Sequence, residues 1–203
     1  MIAILLGAIA AYTYLHFQRD KPVATFLKDK LWDFLIVFML VTRVSVLILH
    51  PSLLWNFNIY YVLAQPPAEG WLVGLAAAVI IVGRSWRRGQ VDNRIALFQL
   101  AQAVLWGSVP YFLYGLLREA APYRWLDAAR LTGAVVIAAA VRFTRLRAAG
   151  ERYPQRFWLV IGLGLLVSSL TVPRLNLLGP FTTGQWAELA LCMAALMIEA
   201  NIK

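Results

Sequence analysis

Cysteine is almost absent from this chain. Cys192 is the only one, which excludes an intrachain disulfide framework, a CxxC redox pair and a cysteine-ligated metal centre. It lies inside an apolar run, where a small buried thiol is the ordinary reading. Charge is scarce too: 14% of the 203 residues are Asp, Glu, Lys or Arg, against 61% apolar. That leaves too little polar material to coat a soluble globule of this length, so the bilayer is the expected solvent. The chain also lacks a GxSxG elbow, an HExxH helix, a phosphate-cradling GxxxxGK[ST] loop and carboxylates at metal-ligand spacing. No cofactor and no metal are expected. It shows no internal repeat of the kind that marks many transporters.

Long apolar runs are what the chain has in quantity. Seven segments approach the roughly 20 residues that a membrane-crossing helix needs, at about 1–17, 31–50, 70–83, 96–117, 126–143, 157–172 and 182–199. The expected fold is all-α, a single transmembrane domain over 1–203. The third and sixth segments are short and need residues from their flanks. The first has no basic stretch before its apolar run and positive charge after it, so a retained helix is expected rather than a cleaved signal.

Most of the 19 lysines and arginines fall in three gaps between these segments. Arg19, Lys21, Lys28 and Lys30 fill the first, Arg84, Arg87, Arg88 and Arg94 the second, and Arg142, Arg145, Arg147, Arg152 and Arg156 the third. The alternate gaps hold only Arg118, Arg124 and Arg174. Cytoplasmic loops concentrate Lys and Arg, so the crowded gaps are expected inside, the N-terminus outside and the C-terminus inside. The net charge of +9 then reflects anionic headgroups at the cytoplasmic leaflet, not nucleic acid.

Arg43 is the most informative polar residue within a span. It lies about 10 Å below the outer end marked by His50, at 1.5 Å per residue, and a charge at that depth requires a partner, water or a function. One reading is an anion clamp for a phospholipid phosphate or a carbonyl. Another is a snorkelling side chain, or a cation paired with Glu188. Asp127 and Arg130 are spaced i,i+3, which predicts a local ion pair. His16 and His50 sit near span ends and are expected at the interface. The segment Trp55 to Tyr61, with Tyr60 and Tyr61, carries the aromatic residues of an outer interfacial belt. Gly179-Pro180 followed by Thr182-Thr183 breaks the chain and supplies hydroxyls to start the last helix. Gly7, Gly74, Gly83, Gly162 and Gly164 are expected at close helix contacts.

The order of these features resembles the prolipoprotein diacylglyceryl transferase family of bacterial membrane enzymes. Val41-Thr42-Arg43, then Tyr60-Tyr61 and Gln65-Pro66, are similar to that family's Gly-Ala-Arg helix and its aromatic loop with Tyr-Tyr and Asn-Pro. Arg87-Arg88-Gly89 matches its basic turn, and Leu126-Asp127-Ala128 its Tyr-Glu-Ala. Leu178 to Gln185 resembles its glycine-rich entry into a Met-Gly-Gln helix start. The departures fall on the catalytic set. Leu72 stands where the family has histidine, and Gly107-Ser108-Val109-Pro110 lacks its arginine and asparagine. In the sixth segment Val167 and Thr171 replace Arg and Glu, while Arg174 is retained. Without a thiol-activating base and converging cations, transfer of diacylglyceryl to a cysteine is not supported. The resemblance implies a multi-pass protein of the bacterial cytoplasmic membrane that binds phospholipid or a lipidated partner, with a site at Arg43, Arg174, Tyr60, Tyr61 and Gln185. Two alternatives are an active transferase with a rearranged site, using His50 or Asp127 to handle the proton, and a structural subunit of a membrane complex.

Overall fold

The computed structural model describes residues 2–55, 70–86, 91–121, 123–141, 144–170, 177–178 and 181–200. It is all-helical. In chain order the helices are α1 (Ile2–His16), α2 (Lys21–Leu49), α3 (Gly70–Trp86), α4 (Asn93–Arg118), α5 (Tyr123–Ala140), α6 (Thr144–Arg152), α7 (Pro154–Ser169) and α8 (Thr183–Ala200). A 3-10 turn, Pro51–Leu54, follows α2. Leu177–Leu178 pairs antiparallel with Phe181–Thr182 just before α8.

All seven apolar segments are helices, and the departures from expectation lie in the basic gaps. α2 begins at Lys21, not near 31. Lysine and aspartate are tolerated on the wet face of a helix, and here Val23, Ala24 and Leu27 supply a buried face at i, i+1 and i+4. The Lys30–Asp33 ion pair, 2.9 Å, continues the same helix across the expected boundary. The third gap holds a helix of its own, α6, with the Arg147–Glu151 pair at i,i+4. Local chemistry sets other boundaries. Asp92 caps α4, its Oδ1 accepting from the backbone N–H of Arg94 at 2.8 Å, and Pro154 occupies the first turn of α7, where its missing N–H is harmless.

Among the described residues, two helices, α2 and α4, are long and apolar enough to cross a membrane. The reason is geometric for α1 and α3, which are 15 and 17 residues long, short of the roughly 20 that span about 30 Å of hydrocarbon. α5 is long enough but carries Arg124, Asp127 and Arg130 in 18 residues. Apolar side chains nevertheless cover the outer faces of most helices, among them Ile9, Leu40, Val136, Val167 and Met197, each more than half exposed.

The chain divides into two compact units, residues 1–24 with 92–203, and residues 25–91. In the first, α4 is the central helix, packed by α1, α5, α6 and α7, with α8 against α7. Ala101, Leu105, Ala134 and Ile161 form its buried centre, and Val109, Phe157 and Trp158 pack around them. The Trp158 indole N–H donates to the Leu97 carbonyl, 3.1 Å away. Small residues allow the closest approaches. A Cβ on Gly7 would stand 2.8 Å from the Gly107 carbonyl oxygen, and one on Gly107 the same distance from that of Gly7. Gly162 fits against the Cys192 sulfur in the same way. In the second unit Gly74 of α3 abuts Thr42 and the Phe38 carbonyl of α2. Gly83 and Gly164 depart from expectation: a Cβ at either meets nothing within 4 Å.

Candidate functional site

The polar cluster of the first unit is built where the end of α4 and the start of α5 meet the end of α7 and the start of α8. Arg130 lies in the third turn of α5 and points between α7 and α8. Its Nη2 donates to Glu188 Oε1 at 2.7 Å and to the Leu165 carbonyl at 3.4 Å, and its Nε donates to Ser168 Oγ at 3.0 Å. The guanidinium also lies 5.9 Å from the centre of the Phe112 ring. The ion pair is well sheltered, with side-chain exposures of 17% for Arg130 and 13% for Glu188. One cation thus ties three helices together. Glu188 keeps a second oxygen, Oε2, that is buried and has no hydrogen-bond partner among the described residues.

Gln185 stands one turn before Glu188 on α8. Thr182 Oγ1 accepts from the Gln185 backbone N–H at 3.3 Å, and Gln185 Oε1 accepts from the Thr182 N–H at 2.9 Å. This is a reciprocal capping box, in which the residue before the helix and the third residue within it satisfy each other's orphan donors. The Gln185 Nε2 donates onward to the Ser169 carbonyl at 3.3 Å, and the residue is 2% exposed. Its amide is therefore committed to starting α8 and fastening it to α7. Thr182→Ala is expected to lower stability by about 1 kcal/mol, and Thr182→Ser to restore most of it, measured by thermal melting in detergent.

Asp127, one turn before Arg130, does not take the ion pair predicted from its spacing. Arg130 turns to Glu188 instead, because the partner on a facing helix sits deeper and needs a counter-charge, whereas Asp127 packs against Gly115 of α4. Glu188, which the sequence offered as a counter-charge for Arg43, pairs with Arg130. Arg43 itself is half-buried six residues before the end of α2, in the second unit. Tyr60, Tyr61 and Arg174 lie outside the described residues. His50 closes α2, its N–H bonding to the Val46 carbonyl at 3.0 Å, and is exposed. His16 is exposed beside the edge of Phe17. Among the described residues no three His, Cys, Asp or Glu side chains are grouped so as to hold a metal ion.

The cluster of Arg130, Glu188 and Ser168 went unanticipated. Its sequence signal was Arg130 itself, a cation within an apolar run, which demands a counter-charge that need not be local. Chemically the arrangement is a neutralised cation with one carboxylate oxygen to spare, suited to locking helices and to accepting a hydrogen bond, not to clamping a phosphate. No family model, curated protein or solved structure matches this chain.

Proposed function

We propose that the chain is a multi-pass protein of the bacterial cytoplasmic membrane, crossing seven times with its N-terminus outside, that binds phospholipid on a non-catalytic scaffold related to the prolipoprotein diacylglyceryl transferases. Apolar outer faces on helix after helix and the alternation of basic gaps support the membrane reading. The helices shorter than a full span are accommodated by local thinning and by flanking Arg, Lys and Trp residues at the interface. The observation that carries lipid binding is Arg43, a half-buried cation six residues before the end of α2, in a stretch from Phe34 to Leu49 that holds no other charge. An ionisable side chain at such depth marks a functional site by default. The resemblance to the transferases names Arg174, Tyr60, Tyr61 and Gln185 as the further candidates for lipid contact.

Native mass spectrometry of the detergent-purified protein tests this reading. An anionic phospholipid is expected to be retained above its abundance in the source membrane, and Arg43→Ala to lower that retention about tenfold, the worth of one charge-assisted hydrogen bond. Retention that mirrors bulk lipid and does not respond to Arg43→Ala overturns it. One observation favours active transfer instead: Asp127 is half-buried and left out of the Arg130 ion pair, as a proton-handling carboxylate would be. Growth rescue of cells depleted of their diacylglyceryl transferase, lost on Asp127→Asn, would establish that reading.

A further inference from the structure

A cavity lies at the opposite end of the first unit from the Arg130 cluster. It has a volume of about 880 Å³, within the range of roughly 300–1,000 Å³ usual for small-molecule sites. Its wall is aromatic, formed by Tyr14 and Trp106, whose rings stack at 6.2 Å, and by Phe98. Its floor is amide. Gln102 accepts a hydrogen bond from the Tyr14 hydroxyl, and Gln99, 5% exposed, has an Oε1 without a partner among the described residues. Its rim is cationic. Arg19, just past the end of α1, and Arg147, on α6, both border it, with Glu151 beside Arg147.

The two rim arginines come from basic gaps more than 120 residues apart in sequence, Arg19 and Arg147. The charge rule assigns both gaps to the cytoplasmic side without bringing them together. The fold does so: α6 is held onto α4 by Gly150, which fits against the edge of the Phe98 ring, and Arg147 and Arg19 both line the cavity. Cations at the mouth, an aromatic wall and amides inside match a ligand with a phosphate ester, hydroxyls and an apolar tail. An anionic headgroup also has its highest local concentration at this leaflet.

We propose that this cavity is a cytoplasmic-leaflet site for an anionic glycerophospholipid. The phosphate lies between Arg19 and Arg147, a hydroxyl of the headgroup donates to Gln99 Oε1, and the acyl chain runs along Trp106 and Phe98. Glu151 competes with the phosphate for Arg147. The site shares no residue with the outer one proposed above, and it rests on the same membrane orientation.

The test uses the full chain in vesicles of phosphatidylcholine containing either phosphatidylglycerol or a phosphatidylglycerol brominated on its acyl chains, which quenches nearby tryptophan fluorescence. Brominated lipid is expected to quench the fluorescence lost in Trp106→Phe. Arg19→Gln with Arg147→Gln is expected to weaken that quenching about tenfold in lipid concentration. Glu151→Gln acts in the opposite direction, strengthening it severalfold by releasing Arg147, a gain that misfolding does not produce. Arg43→Ala leaves it unchanged, so failure of the outer site and failure of this one are told apart. Quenching indifferent to both the rim arginines and Glu151 overturns the proposal. Full displacement by soluble glycerol 3-phosphate also overturns it, assigning the cavity to a soluble phosphate ester.

Discussion

Glu188→Ala is expected to lower the unfolding free energy by about 3–5 kcal/mol, the usual cost of stranding one member of a buried ion pair. Arg130 would keep its contacts to Ser168 and the Leu165 carbonyl, but both are neutral and neither offsets a sheltered guanidinium charge. Glu188→Gln preserves shape and one acceptor, and still leaves the charge, so it is expected to recover only a minor part. The pair itself is worth far less than either half suggests. Arg130→Met combined with Glu188→Leu is expected to lie within about 1–2 kcal/mol of the parent protein, because desolvating two charges cancels most of their attraction. Chemical denaturation in a fixed detergent of the parent, Arg130→Met, Glu188→Leu and the double variant gives the coupling directly. A Glu188→Ala protein as stable as the parent would show that the pair is spectator to the α5, α7 and α8 packing.

Gly107→Leu is expected to be at least as damaging, costing about 3 kcal/mol or more and abolishing folded protein in mild detergents. The atom that a new Cβ meets is the Gly7 carbonyl oxygen at 2.8 Å. That atom belongs to backbone and has no rotamer to swing aside, so α1 and α4 must separate along their contact. Separation also breaks the Tyr14 to Gln102 hydrogen bond and the Tyr14 to Trp106 stacking further along the same seam. Gly164→Leu is the matched control, since a Cβ there meets nothing within 4 Å, and it is expected to change the melting temperature little. Equal behaviour of the two variants would remove the argument for a tight α1 to α4 crossing.

Much of the helical plan was legible because it depends on local properties. Apolar runs placed all seven long helices, and Gly179-Pro180 with the hydroxyls of Thr182-Thr183 announced the start of α8, which Thr182 caps. Two kinds of feature were not legible. Hydropathy does not register helix propensity, so the lysine-rich start of α2 and the whole of α6 passed as connecting loops. Partner choice for buried charges depends on which helix faces turn toward one another. Arg130 and Glu188 are 58 residues apart, and nothing in either neighbourhood singles out the other. The same holds for Arg19 and Arg147, whose shared sidedness was visible in the charge pattern and whose shared cavity was not. The resemblance to the transferases pointed to Arg43 and Gln185, and the structure gives Gln185 a capping role that a motif match alone would not distinguish from ligand contact.

The pairing of Gly7 with Gly107 has a consequence for biosynthesis. The partner of α1 is made only after the whole of the second compact unit has been synthesised, and at about 5–20 residues per second the intervening hundred residues take roughly 5–20 s. On the membrane reading proposed above, α1 waits during that interval in the translocation machinery or the bilayer without the surface it is built to meet. The near-absence of polar residues from Ile2 to Ala11 suits it to that wait, since a helix with a polar stripe would be stranded until α4 arrived. A ribosome stalled before residue 107 is expected to leave α1 open to crosslinking by lipid-borne photoreagents at Gly7, and one stalled past the end of α4 to leave it protected.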